Sequence, residues 1–264
     1  EPEGEAQGMI RLVVSDIDGT LLLNGAAEID PEIFRQIARL REKGIAFCPA
    51  SGRQYTSLRK LFAPAADELY YLCENGAVIF GPGNPGPILS RTEMERGLAL
   101  GLCRDILAQP RCEVLISGAD TSYLCPKEGD MVALIRDFVG NNVSLLKRPE
   151  DMPEPFVKVS AYCRDGAAAM EPELAPRWTG HFHAAVAGEK WLDFTLADKG
   201  SGLEELCRAL KVSPEEVLAF GDNYNDLPML ERAGTAYLME TAAPELRAQY
   251  PRQCRRVEEI LARL

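Results

Sequence analysis

The stretch Ile10-Arg11-Leu12-Val13-Val14-Ser15-Asp16-Ile17-Asp18-Gly19-Thr20 decides the reading of this chain. Residues 10–15 form a short, β-branched apolar run, the pattern of a strand buried on both faces. It stops on two carboxylates, Asp16 and Asp18, followed by Gly19, which lets the backbone turn closely. In open parallel sheets the reactive groups gather at the carboxyl ends of strands. Two carboxylates two residues apart at such an end can share a metal ion and divide nucleophilic and acid-base work. Alone, the same residues read more readily as a strand ending in a polar turn, and the catalytic reading rests on the motifs that accompany them.

The neighbouring sequence predicts that the strand belongs to a parallel sheet. Asp30-Pro31-Glu32 is a helix start, Ile33, Ile37 and Leu40 recur at helical spacing, and Gly44 closes the helix. A second strand is expected over 45–49, a helix over 55–62 and a third strand over 69–73. This β-α-β-α-β order predicts an α/β fold with a Rossmann-like parallel-sheet core. From about residue 81 the rhythm breaks. Helices over 94–107 and 131–139 mix with short strands over 114–116, 121–125 and 157–162, and Ser90-Arg91-Thr92-Glu93 reads as a capping box. Parallel-sheet rhythm is read as returning after Trp191, with a helix over 200–210, a Ser213-Pro214 start signal and a strand over 217–220. The expected division is a core of 9–81 and 191–264 and an inserted α+β cap of 82–190.

Three further elements fall at expected strand or helix ends. Ala50-Ser51-Gly52-Arg53 can hold a phosphate oxygen with a hydroxyl and a following amide. Asp198-Lys199-Gly200 places a lysine where it can neutralise an attacking carboxylate and phosphoryl oxygens. Phe220-Gly221-Asp222-Asn223-Tyr224-Asn225-Asp226 clusters acidic and amide groups that suit a hard cation such as Mg2+. A plain turn has little use for two aspartates and two asparagines together.

The conjunction of D-I-D-G-T-L, A-S-G-R, E-N-G-A (74–77), D-K-G and F-G-D-N-x-N-D-x-x-M-L resembles the haloacid dehalogenase-like hydrolase superfamily, in its Cof-type branch with a type IIB cap. The resemblance covers 9–81 and 191–232; the cap matches only in size and position. It implies a phosphatase acting on a small phosphorylated metabolite, either a sugar phosphate or a phosphorylated cofactor, through an aspartyl-phosphate. By the same resemblance Asp16 is the nucleophile and a magnesium ligand. Asp18 is the acid-base and binds the ion through its carbonyl. The Ile17 amide, Ser51, Gly52, Lys199 and Asn225 hold the phosphoryl group, with Lys199 also serving catalysis. Asp222 completes the metal site and Asp226 supports it. Arg53, Glu74 and Asn75 are expected near the leaving group. Related ATPases carry threonine at the second aspartate, so Asp18 favours a phosphatase or a mutase. The branch often continues V-A-M-G-N-A, where this chain has Ala236-Tyr237-Leu238-Met239-Glu240-Thr241-Ala242, which bears on substrate preference. The competing readings are a sugar phosphotransferase or phosphomutase, separable by inorganic phosphate release, and a non-catalytic phosphate-ligand binding protein, which would have no need of Asp18.

Composition narrows the partners. The 264 residues are 46% hydrophobic and 26% charged, with a formal net charge of -11 and a pI near 4.9. That balance disfavours nucleic acid and anionic membrane, which both need a cationic footprint. No apolar run reaches bilayer length, and the acidic first residues do not read as a signal peptide. They read as an extension, with the fold starting near Met9. A cytoplasmic monomer or weak homo-oligomer is the expectation. The eight cysteines include no C-x-x-C pair and read as reduced, buried thiols. Gly81-Pro82-Gly83-Asn84-Pro85-Gly86 fits a dinucleotide-loop spelling, yet its prolines cannot open a helix, so it reads as a linker. His181 and His183 could share a strand face, but no third zinc ligand is near.

Overall fold

The computed structural model describes residues 9–264; the acidic extension before Met9 lies outside the described residues. The first strand, β1 (Leu12–Asp16), is buried throughout. Helix α1 (Pro31–Glu42) starts where the sequence puts it: the Asp30 carboxylate accepts from the Glu32 amide at 2.8 Å, and Ile33, Ile37 and Leu40 form its buried face. Then follow β2 (Ala46–Ala50), α2 (Tyr55–Leu61), β3 (Tyr71–Cys73), β4 (Val78–Phe80) and β5 (Ile88–Arg91). The strands β4 and β5 are too short for a period-2 pattern to show.

The next stretch holds α3 (Arg96–Ala108), β6 (Cys112–Ser117), β7 (Ser122–Leu124), α4 (Asp130–Ala133), β8 (Val143–Leu145), β9 (Lys158–Cys163), α5 (Ala167–Trp178), β10 (His183–Val186) and β11 (Trp191–Thr195). Four local expectations change here. Helix α3 is capped by Glu95, whose carboxylate accepts from the amides of Gly97 and Leu98, while Ser90 and Arg91 belong to β5. The helix expected over 131–139 is α4 followed by a π-helical turn, Leu134–Phe138. Trp191–Thr195 does not rejoin the parallel sheet: β11 pairs antiparallel with β9 and β10. His183 opens β10, whereas His181 precedes it and packs beside Trp178 and Phe182, so the two histidines do not share a strand face.

The chain continues through α6 (Lys199–Leu210), β12 (Val217–Gly221), α7 (Leu227–Arg232), β13 (Thr235–Met239), α8 (Pro244–Arg247), β14 (Gln253–Cys254) and α9 (Val257–Leu261). Contacts divide the described residues into two compact units, one of 9–53, 58–90 and 198–264, the other of 54–57 and 91–197. The first carries an eight-stranded sheet ordered β14-β13-β12-β1-β2-β3-β4-β5, parallel from β14 to β3. From β1 the chain builds outward through β2 and β3. It then returns to the other side of β1 with β12 and β13. The order therefore reverses at β1, and ligands of such sheets bind at that switch point. The second unit carries a six-stranded sheet ordered β10-β11-β9-β6-β7-β8, antiparallel except for β7 with β8.

All eight cysteines are buried free thiols. No helix among the described residues is long and apolar enough to cross a membrane.

Candidate active site

Strands β1 and β12 are neighbours, with Ser15 opposite Phe220. Their carboxyl ends therefore bring Asp16 beside the turn that starts at Asp222. Ligand oxygens of Asp16, Asp222 and Asp226 lie within 4.8 Å of one another. Lys199 enters from the first turn of α6, whose N-cap is Asp198, accepting from the Ser201 amide at 2.7 Å. The Lys199 ammonium sits 2.5 Å from Asp16 Oδ1 and 2.6 Å from Asp226 Oδ1 and is 1% exposed.

Asp226 is wholly buried. Its second oxygen accepts from the amides of Asp222 and Asn223, at 2.9 and 3.1 Å. One carboxylate thus fixes both the lysine and the loop that carries Asp222. Asn225 stands on the exposed side of the same turn.

The electrostatics follow from three carboxylates around one cation. Burial pulls the Lys199 ammonium down, but Asp16 and Asp226 outweigh it and hold the pKa above its ordinary value. Burial, with Asp226 nearby, pushes Asp16 up to about 6 in spite of Lys199. Burial and the charges of Asp16 and Asp226 push Asp222 up to about 7. Asp16 Oδ2 is buried with no hydrogen-bond partner. An orphaned carboxylate oxygen beside a second carboxylate marks a place for a cation.

The backbone is shaped for the same purpose. Gly19 adopts φ +93°, and a Cβ there would lie 2.1 Å from Asp222 Oδ2. After the turn, the amides of Thr20, Leu21 and Leu22 all reach the Ile17 carbonyl. The Ile17 amide lies against the Asp16 carboxylate.

Ser51, 4% exposed, follows directly after β2, and its hydroxyl accepts from the Arg53 amide at 3.1 Å. Arg53 grips Asp18 with Nη2 on Oδ1 at 2.6 Å and Nε on Oδ2 at 3.1 Å. The E-N-G turn docks onto this loop: the Asn75 amide donates to the Ser51 carbonyl at 2.9 Å, and the Glu74 amide to the Arg53 carbonyl at 3.1 Å. Glu74, Asn75 and Gly76 all have positive φ. Three such residues in succession store strain of ~1–3 kcal/mol at each non-glycine. Asn75 Oδ1 is buried without a hydrogen-bond partner.

Asp16, Ile17, Asp18, Ser51, Gly52, Arg53, Glu74, Asn75, Lys199, Asp222, Asn225 and Asp226 thus all lie in the first unit. The role of Asp226 as a two-sided acceptor was not legible in the sequence, because only the fold sets Lys199 against it.

The haloacid dehalogenase-like hydrolase family model matches residues 13–259. The 5-amino-6-(5-phospho-D-ribitylamino)uracil phosphatase YbjI of Escherichia coli K12 is 25% identical over 243 residues, covering 88% of this chain and 86% of that protein. An HMP-PP phosphatase of Escherichia fergusonii is 26% identical over 256 residues, covering 92% and 89%. A crystal structure from Eubacterium rectale superposes with a TM-score of 0.87 at 32% identity, over 97% of this chain and 99% of that one. With nearly its whole length matched and the motif residues gathered at one switch point, this chain belongs to the haloacid dehalogenase-like hydrolases.

Proposed function

We propose that the chain is a magnesium-dependent phosphatase that releases inorganic phosphate from a small phosphorylated metabolite through an aspartyl-phosphate on Asp16. The observation that carries this reading is Asp16 itself. One of its oxygens is held by a buried lysine at 2.5 Å, and the other is left without a partner beside Asp222. A nucleophile needs that combination of one anchored atom and one available atom.

In the proposed first step an Asp16 oxygen attacks phosphorus and the ester P–O bond breaks. The leaving oxygen takes a proton from Asp18. In the second step Asp18 takes a proton from water. The water oxygen attacks phosphorus, and the bond to Asp16 breaks. Asp18 has to carry a proton before the first step, so its ion pair with Arg53 opens beforehand and can re-form once the proton is given up. Lys199, the Ile17 amide, Ser51 and Asn225 neutralise or donate to the phosphoryl oxygens, which develop charge in the transition state.

Asp16, Asp222 and the Asp18 carbonyl would hold Mg2+, an all-oxygen set of the kind this ion prefers. The ion supplies positive charge to offset the carboxylates and the bound phosphoryl oxygens. The unit of residues 91–197 would read the organic part of the substrate, since the groups named above address only phosphate and metal.

Phosphate release from a panel of phosphorylated metabolites and p-nitrophenyl phosphate tests the reading. Release should need Mg2+, stop in excess chelator and fall by several orders of magnitude in Asp16→Asn. Activity in Asp16→Asn within about tenfold of the parent, or ~1.4 kcal/mol of barrier, would refute it. Transfer of phosphate to a second sugar without release would convert the reading to a phosphotransferase.

A further inference from the structure

Cys112 opens β6, Cys163 closes β9, and the two stand directly opposite each other in the antiparallel register. Opposed residues of such strands alternate between hydrogen-bonded and non-hydrogen-bonded pairs, and the second kind brings Cα atoms to ~4.5 Å with the side chains close. The backbone says which kind this is. The Arg164 amide donates to the Arg111 carbonyl at 3.0 Å, one residue beyond the pair on each strand. The Cys163 amide donates away from β6, to the Lys190 carbonyl at 2.7 Å. Cys112 and Cys163 are therefore a non-hydrogen-bonded pair. Its characteristic separation lies inside the ~4.4–6.8 Å between Cα atoms that a disulfide spans, so the strands need no shift to join the two sulfurs.

The surroundings set this pair apart from the other thiols. A hydrogen bond with the Cys163 thiol lowers the pKa of Cys112 below its ordinary value in spite of burial, and Lys127 adds to the effect. The same contact, with burial, pushes Cys163 up and keeps it protonated. Burial pushes up the thiols of Cys48, Cys103, Cys125, Cys207 and Cys254. The thiolate is the reacting form, so Cys112 is favoured over these five. Cys103 with Cys125, and Cys48 with Cys207, are further pairs near enough to influence each other, but they share no strand register. Cys112 and Cys163 are each 1% exposed. Both lie at strand ends, next to the turns at 109–111 and 164–166. Opening one turn, with the sheet intact, admits a small oxidant.

We propose that Cys112 and Cys163 form a reversible disulfide when the chain meets hydrogen peroxide, and that the bridge staples β6 to β9, the two central strands of the second unit's sheet. The Cys112 thiolate attacks one peroxide oxygen and the O–O bond breaks. Cys112 becomes a sulfenic acid, and the released hydroxide takes up the proton that Cys112 gave and leaves as water. The Cys163 sulfur then attacks Cys112 Sγ. The S–O bond breaks, and its oxygen takes the Cys163 proton and leaves as a second water. The two thiols lose two electrons and two protons between them, and one peroxide becomes two waters. An added dithiol reverses the bridge by exchange. The proposal is independent of the phosphatase reading, because no residue of the candidate active site takes part.

The test treats the full, folded chain with hydrogen peroxide, blocks the remaining thiols with iodoacetamide in denaturant, and maps the peptides without reduction. The chain should lose two of its eight free thiols and yield one linked pair, Cys112 with Cys163, two hydrogens lighter than the separate peptides. Dithiothreitol should restore both thiols. The oxidised chain should melt about 4–8 °C above the reduced one, because the bridge constrains the unfolded loop from 112 to 163. In Cys163→Ala the sulfenic acid has no thiol to resolve it, so dimedone should label Cys112 after peroxide. In Cys112→Ala the label on Cys163 should be at least tenfold weaker. The map on the unmodified chain decides even where a variant fails to fold. Eight thiols left after peroxide, a link that forms only in denaturant, or a different pair such as Cys103 with Cys125 overturns the proposal. A Cys112–Cys163 bridge that leaves the melting temperature unchanged overturns the staple, and labelling of Cys163 in preference to Cys112 overturns the order of attack.

Discussion

Asp226→Asn and Asp16→Asn each remove one charge from the same cluster with almost no change of shape, and the geometry predicts opposite consequences for stability. Asp226 accepts on both oxygens, from Lys199 at 2.6 Å on one side and from the Asp222 and Asn223 amides at 2.9 and 3.1 Å on the other. A carboxamide has one acceptor and one NH2, so either orientation sets donor against donor. The lysine also loses a counter-charge at a place where it is 1% exposed. Breaking a buried pair from one side costs ~3–5 kcal/mol. At about 2 °C per kcal/mol for a chain of this size, the melting temperature should fall by about 6–10 °C. Asp16 accepts on one oxygen only. Its amide can keep Oδ1 on Lys199 and turn Nδ2 toward Asp222, while the change removes a charge that burial already disfavours. Asp16→Asn should stay within about 1 kcal/mol of the parent or exceed it at pH 8, although it should be inactive. Thermal melts of the three proteins in chelator at pH 8 decide the matter. Asp226→Asn melting within 2 °C of the parent, or Asp16→Asn destabilised as much as Asp226→Asn, would refute the argument.

Other outcomes follow from the same geometry. Asp16 and Asp222 bind a proton more tightly folded than unfolded, at about 6 and about 7. Without metal their contribution to stability is present at low pH and lost as pH rises through those values. Melts in chelator should therefore decline between pH 5 and pH 7, and added Mg2+ should raise the melting temperature most above pH 7; a flat profile with no such Mg2+ effect would count against the cation site. Gly19→Ala puts a methyl group 2.1 Å from Asp222 Oδ2 at a positive φ, so it should cost at least ~2 kcal/mol of stability and most of the phosphate release. A folded, fully active Gly19→Ala would show that the turn tolerates rearrangement. Glu95→Ala removes the carboxylate that caps α3 and should cost ~1 kcal/mol in denaturant melts; no loss would return the cap to another residue.

By itself the sequence marked the parallel core and most residues of the candidate site. Periodicity, the Asp30-Pro31 start and strand ends carrying Asp16, Ser51 and Asp222 are local signals, and each chemical group sits within a few residues of the punctuation that announces it. The inserted unit was less legible because its signals are weak or conflicting. Helix α5 contains Pro172 and Pro176, which read as helix breakers, and β10 and β11 are short strands whose pairing is set by partners far along the chain. The Ser90 capping box lost to Glu95 because two carboxylate oxygens satisfy two amides there. Tertiary structure alone decided that Lys199 bridges Asp16 and Asp226, 183 and 27 residues away, and that Asp226 holds the Asp222 loop. It alone also decided that Cys112 and Cys163 stand opposite each other across β6 and β9. Distance and burial set a charge's energy, and a linear pattern carries neither until strands from opposite ends of the chain lie side by side.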